Sequence, residues 1–235
     1  MATSSTTASA TNPDRTWAEA RANFAGTGSF TFEGKTATVS EAFQITRTVR
    51  GEVDRSTDAS LVRTSITSPD PNLAVPGETV VLSVSDGIWM QMTEWKAPNR
   101  GKWLDLAAQG SAGVGQRTLL EEALLSFVPE GSTAEASQFS GMAPLSDTAK
   151  LLGMTSLPDS LQIDGDVNMT VTLDDNGSIT HVQLDGAGLR GSSLPSEYAG
   201  AVTASRFEAE VDLSGSVNVK APSADSVVSS LEQTD

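Results

Sequence analysis

VNMTVTLDDNGSITHVQL, Val167–Leu184, carries the pattern on which the fold turns. Val167, Met169, Val171 and Leu173 alternate with polar residues, the period of two of a strand with one covered face. Asp174-Asp175-Asn176-Gly177 follows, a hairpin turn with the favoured Asn-Gly pair, and Ile179–Leu184 returns beside the first strand.

The same period recurs upstream. Phe30 and Phe32 alternate with polar residues. Val39, Phe43, Ile45 and Val49 are expected on one face of a long strand, interrupted by Glu41 and Arg47. Arg50-Gly51-Glu52 reads as a turn, and Glu52–Ser68 as the next strand. A proline-rich loop, Ser68–Gly77, precedes Val80, Leu82 and Val84. Ser85-Asp86-Gly87 is a hairpin signal whose glycine would accept a positive φ. Ile88, Met90 and Met92 then share a face, and Lys102–Leu106 is a short strand. Downstream, Arg206–Leu213 is a strand expected to run on to Val219, and Ser223 or Pro222 starts a last short helix.

Helical spacing interrupts the strands twice. Thr16–Phe24 is a short helix with Asp14 or Thr16 as N-cap. After the glycine-rich QGSAGVGQ, Leu119, Leu120, Ala123, Leu124 and Phe127 follow a helical period. Thr133–Phe139 and Ser146–Leu152 are expected as two further helices, so that Arg117–Gly153 forms a movable cover. A helix, a meander, a helical middle and a second meander predict an α+β fold, with an antiparallel sheet and helices gathered on one face. Met1–Asp14 is small and polar and reads as a flexible tether; residues 15–235 read as a single domain.

Charge and composition exclude several functions. A net charge of −15 opposes phosphate-mediated nucleic-acid binding, which needs clustered Lys and Arg, and opposes docking of a basic face on anionic lipid. Without cysteine there is no thiol nucleophile and no zinc–thiolate site. No run approaches the roughly 20 apolar residues of a membrane span. No signal peptide is visible, so export implies one removed before Met1.

The search for catalytic chemistry ends without a constellation. His181 is the only histidine, which precludes a two-histidine metal site, and no G-x-S-x-G elbow supplies a serine for a triad. A surface strand histidine is the preferred account. Gly110–Gly115 resembles a phosphate loop, but Gln116 and Arg117 stand where Lys and Ser or Thr are required. Asp164, Asp166 and Asn168 have calcium-loop spacing, yet Met169 occupies the glycine position. No cofactor or catalytic residue is assigned. The tryptophan-bearing stretch DGIWMQMTEWKAPNRGKWLDL is the most distinctive in the chain; packing is its simpler explanation, and an apolar ligand lining the functional one.

Three segments carry a likeness: Asp86-Gly87-Ile88-Trp89-Met90 followed by Gly101-Lys102-Trp103-Leu104, the hairpin Val171–Ile179, and the ending Val217–Val227 with its Ala221-Pro222. In that order they resemble the actinobacterial LppX/LprG-type lipoproteins, which share the half-barrel fold of the carriers LolA and LolB. The resemblance implies a strongly curved antiparallel sheet with short helices over its concave face. It further implies an exported cell-envelope lipoprotein, anchored through a lipidated N-terminal Cys that this sequence lacks, and an apolar cavity for an acylated lipid or glycolipid.

The expected inner lining is Phe30, Phe32, Phe43, Ile45, Val80, Leu82, Ile88, Met90, Met92, Val167, Met169 and Val171, capped by Leu120, Leu124 and Phe127. A monomer without enzymatic activity is expected. The alternative is a non-catalytic envelope interaction or sensing module with the same fold and a filled core.

Overall fold

The computed structural model describes residues 16–39, 44–109, 118–130, 137–154 and 163–231. Helix α1, Trp17–Gly26, starts at a capping box. The Thr16 hydroxyl accepts from the Glu19 N–H, and the Glu19 carboxylate accepts from the Thr16 N–H. Ala20 and Phe24, four residues apart, are its buried side.

Six strands follow in sequence order: β1 Ser29–Val39, β2 Gln44–Asp54, β3 Ala59–Thr67, β4 Thr79–Val84, β5 Gly87–Met92 and β6 Trp103–Asp105. Each pairs antiparallel with the next. Helix α2, Leu119–Ser126, begins at a second capping box, Thr118 with Glu121. Strands β7 Val128–Pro129 and β8 Gln138–Pro144 and the one-turn helix α3, Leu145–Thr148, come next. Strands β9 Asp166–Leu173 and β10 Ile179–Arg190 form the Asn-Gly hairpin, with Gly177 at φ +83°. Helix α4, Ser196–Thr203, leads into β11 Ser205–Asp212. A 3-10 turn at Ala224–Ser226 precedes β12, Val227–Val228, which lies parallel to β6.

The two meanders meet where β1 pairs with β11, from Thr31↔Asp212 to Thr38↔Ser205. The result is one curved, unclosed sheet of order β12-β6-β5-β4-β3-β2-β1-β11-β10-β9-β8-β7. Directly opposed residues share a face, so the register assigns an inner and an outer side throughout. The core occupies the inner side: Phe30 and Phe32 of β1, Val49 and Val53 of β2, Phe207 and Ala209 of β11, Val182 and Leu184 of β10, Val167, Met169 and Val171 of β9. Phe24 of α1 and Leu120, Ala123 and Leu124 of α2 close over it.

Several expectations are corrected. The chain turns between Val39 and Gln44, so Val39 and Val49 lie on two strands; Val39 is outer and 57% exposed. Arg50-Gly51-Glu52 is the middle of β2, and the turn comes later, over residues 55–58. Gly51 has another task. A Cβ there would lie 2.0 Å from the Phe32 ring, so the glycine lets that ring lie flat across the neighbouring strand. Gly34 does the same for Phe207, at 2.6 Å. Gly87 does not have the positive φ expected of it; a Cβ there would instead meet the Trp89 ring at 2.6 Å. Phe139, expected in a helix, belongs to β8. The last strand stops at Asp212, short of Val219. Helix α4 was not foreseen; it packs against β10 where Gly186 leaves room for the Val202 carbonyl.

One ion pair joins helices α1 and α2 to the sheet. Arg55, at the β2–β3 turn, donates through Nε to Glu121 Oε1 at 2.9 Å and through Nη1 to the carbonyls of Thr27, at 2.9 Å, and Phe24. Its guanidinium lies 4.5 Å from the Phe24 ring centroid and 4.8 Å from that of Phe30. Glu121 Oε2 accepts from the Thr118 N–H at 2.8 Å and the Thr118 hydroxyl at 3.1 Å.

Three outcomes follow from these contacts. Arg55→Met, which strands a buried carboxylate, lowers unfolding stability by about 3 kcal/mol, and Arg55→Met/Glu121→Leu recovers most of the loss in urea titrations. Gly51→Ala lowers it by roughly 1–3 kcal/mol through overpacking, with partial rescue by Phe32→Leu. Hydrogen bonds from Ser56, then Thr57, hold the Asp54 carboxyl below its ordinary pKa. A depressed folded pKa stabilises above the unfolded value, about 3.9, and the contribution vanishes as pH falls through the folded one. The stability difference between wild type and Asp54→Asn is therefore constant above about pH 5 and shrinks below about pH 4, as paired urea titrations would show.

Candidate functional site

The inner face divides into a packed half and an open half. In the packed half, Phe30, Leu120, Val167 and Val171 are 0% exposed, Leu124 and Met169 1%, and Phe127 2%. Trp17 of α1 meets Phe127 edge-on at 4.9 Å, and Phe32 is 6% exposed. These eight side chains, expected to line a cavity, are brought together as a filled core. Within the cover expected to move, Glu121 of α2 pairs with Arg55 at 2.9 Å. Of the glycine-rich segment expected to hinge that cover, residues 110–116 lie outside the described residues, as does Phe43.

The open half is the inner side of β2–β6. Register places Ile45 and Arg47 of β2, Val62, Thr64 and Ile66 of β3, Thr79 and Val81 of β4, and Met90 and Met92 of β5 on that one face. All nine are half-buried. Ile88 and Leu104 complete it and are buried. The core reaches Val62, but Ile45, Ile66, Val81, Met90 and Met92 lie outside it. The packing of α2 and α3 is on β8 and β9, and that of α4 on β10. Register thus puts Ile45, Ile88, Met90 and Met92 on one face.

Val80 and Leu82 are not on that face. They pair with Gln91 and Trp89, on the outer face, opposite to Ile88, Met90 and Met92. The reason is parity. A two-residue turn, Ser85-Asp86, pairs Val84 with Gly87, so even residues of β4 stand beside odd residues of β5. The inner residue of β4 facing Met90 is Val81. Val81 and Ile66 were missed, and applying this parity from the Ser85-Asp86-Gly87 signal would have found Val81.

Arg47 is the charged member of the open half. It stands between Thr36 of β1 and Ile66 of β3. Its Nη1 donates to the Lys150 carbonyl at 2.6 Å, while the Thr36 hydroxyl donates to the neighbouring Leu151 carbonyl at 2.5 Å. Both carbonyls belong to the turn after α3, where a cation is favourable. Arg47 Nε is buried without a hydrogen-bond partner. Burial lowers its pKa from the ordinary arginine value, and an arginine remains charged all the same.

A separate open concavity of about 940 Å³ includes the outer side of β1, β2 and β11 and the β9–β10 turn. It is rich in carboxylates, and four of them have local duties. Glu33 pairs with Arg50 at 3.0 Å, Glu210 with His181 at 3.1 Å, Asp212 accepts from Ser214, and Asp174 from the N–H groups of Asn176 and Ser178. Among the described residues no group of three His, Asp or Glu side chains is placed to hold a metal ion, and no helix is long and apolar enough to cross a membrane.

The chain is similar to the solved structure of LprF from Mycobacterium bovis, with a TM-score of 0.51 over 88% of this chain and 95% of that one, at 10% identity. The fold is that of LprF. LppX, a lipoprotein from Mycobacterium tuberculosis, aligns over 86% of this chain and 95% of its own, at 12% identity and a TM-score of 0.41. No family model and no curated protein matches the sequence. The LprF likeness supports the curved half-barrel with helices on its concave face as the architecture.

Proposed function

We propose that this chain is an exported cell-envelope lipoprotein domain that binds an acylated lipid or glycolipid on the open half of its inner face. The observation that carries the proposal is the half-buried strip of Ile45, Ile66, Val81, Met90 and Met92, set in the LprF fold beside a finished core. A core side chain normally disappears from solvent. These do not, and the two methionines are flexible, polarizable residues suited to acyl chains of variable shape. Residues 15–235 act as one monomeric domain without catalysis, and 1–14 act as its tether.

Binding is read by mass spectrometry of an organic extract of protein purified from its native host, and by titration with a fluorescent acyl probe. Met90→Asp puts a carboxylate under the chain and weakens probe binding about tenfold or more, the worth of a buried methionine. Val39→Asp, on the exposed outer face, leaves it unchanged. A filled interaction module is the second possibility, favoured by the complete burial of Leu120 and Phe30. A lipid-free extract with no probe uptake by the wild type would select it.

A further inference from the structure

The chain carries 30 acidic against 15 basic side chains. In such a molecule a half-buried guanidinium would ordinarily find a carboxylate. Arg47 has none: the ion pairs among the described residues employ Lys35, Arg50, Arg55, Arg63, His181, Arg190 and Arg206. Its one bond, to the Lys150 carbonyl, uses a single N–H of the five in the fork, and Nε is buried with no partner. Leaving a buried charged donor unmatched is costly. Arg47 also interrupts the apolar inner residues of β2, with Ile45 and Val49 two residues to either side, Ile66 across on β3 and Thr36 across on β1. Register sets Met90 in one row with Val81, Val62 and Gly51, four residues along β2 from Arg47, so the path from Arg47 to Met90 crosses three strand spacings on a diagonal of about 19 Å.

We propose that Arg47 is the anion anchor of the inner face, its guanidinium taking the carboxylate or phosphate head of an acyl lipid whose chain lies over Ile66, Val81 and Met90. Planar donors match both anions in bidentate fashion. The anchor rests on the lipid-binding proposal and narrows it to lipids that present an anion at the end of the chain.

The test uses the full chain and three probes: a fluorescent long-chain fatty acid, its methyl ester and inorganic phosphate. A charge-assisted pair predicts that the wild type binds the acid roughly tenfold or more tighter than the ester. Arg47→Met, which replaces a half-buried charge with an apolar chain of similar length, folds and binds acid and ester alike, at the wild-type ester affinity. Arg47→Lys keeps a reduced preference for the acid. Phosphate competes only weakly, because it lacks the chain. Equal binding of acid and ester by the wild type, or an undiminished preference in Arg47→Met, overturns the anchor and leaves the lipid-binding proposal standing. Binding of neither probe overturns both. Displacement of the acid by phosphate at comparable affinity would make this a phosphate site and overturn the lipid anchor.

Discussion

Arg55 and Glu121 are 66 residues apart in sequence, and their contact decides where the helices land. Each does two jobs. Arg55 leaves the β2–β3 turn, reaches carbonyls near the end of α1 and still meets Glu121. Glu121 closes the capping box of α2 with one oxygen and accepts from Arg55 with the other. A cation at a helix C-terminus and an anion at a helix N-terminus are both the favourable signs. The net energy of such a pair is small, because desolvation offsets the attraction. Its effect is on specificity: any other placement of α1 or α2 would strand a carboxylate that is 5% exposed.

Topology then explains why the cover stops halfway. Helices α2 and α3 belong to the crossover after β6 and to the β8–β9 connection. Both therefore serve the second meander. Among the described residues the first meander is joined by the turns at 55–58 and 85–86, by the proline-rich loop at 68–78 and by residues 93–102, none of which forms a helix. A hairpin meander brings no covering element of its own. Among the described residues, the inner side of β3–β6 thus lacks a helical roof, although its register carries Val62, Ile66, Val81, Ile88, Met90, Met92 and Leu104.

The sequence shows the hairpins because a period of two is written into each strand, and it shows α1 and α2 because each has a capping box ahead of an apolar period. Gly51 misleads because a glycine among charged residues has two uses, a turn or a seat for a neighbouring ring. Only the β1 register, which sets Phe32 opposite it, tells them apart. Val80 and Leu82 mislead because alternation within a strand does not say which face is inside. Filled core and open strip are indistinguishable by residue type: Met169 is 1% exposed and Met90 half-buried, and both read as apolar strand residues. Arg47 was visible as an interruption of an apolar face, but its lack of a carboxylate is a fact of three dimensions.

Among the described residues no helix covers that inner face, which raises the question of what stabilises that half of the sheet. Its outer side supplies an answer. Ala59, Val80 and Leu82 point outward and are only 3–5% exposed. Over the same distance the chain runs from the end of β11 to the parallel pairing of β12 with β6, past the whole first meander. Parallel neighbours require a long connection, and residues 213–226 are part of it. The segment is fixed at both ends, by the Ser29 hydroxyl on the Gly215 carbonyl at 2.9 Å and by Lys102 Nζ on the Asp225 carbonyl at 2.8 Å. Ser29 belongs to the outer register of β1. The sheet is thus buried from within along β1 and β8–β11, and from without at Ala59 of β3 and Val80 and Leu82 of β4. A sheet stabilised on its outer side can leave its inner side half-exposed without giving up its core, and a binding face of this kind needs that freedom.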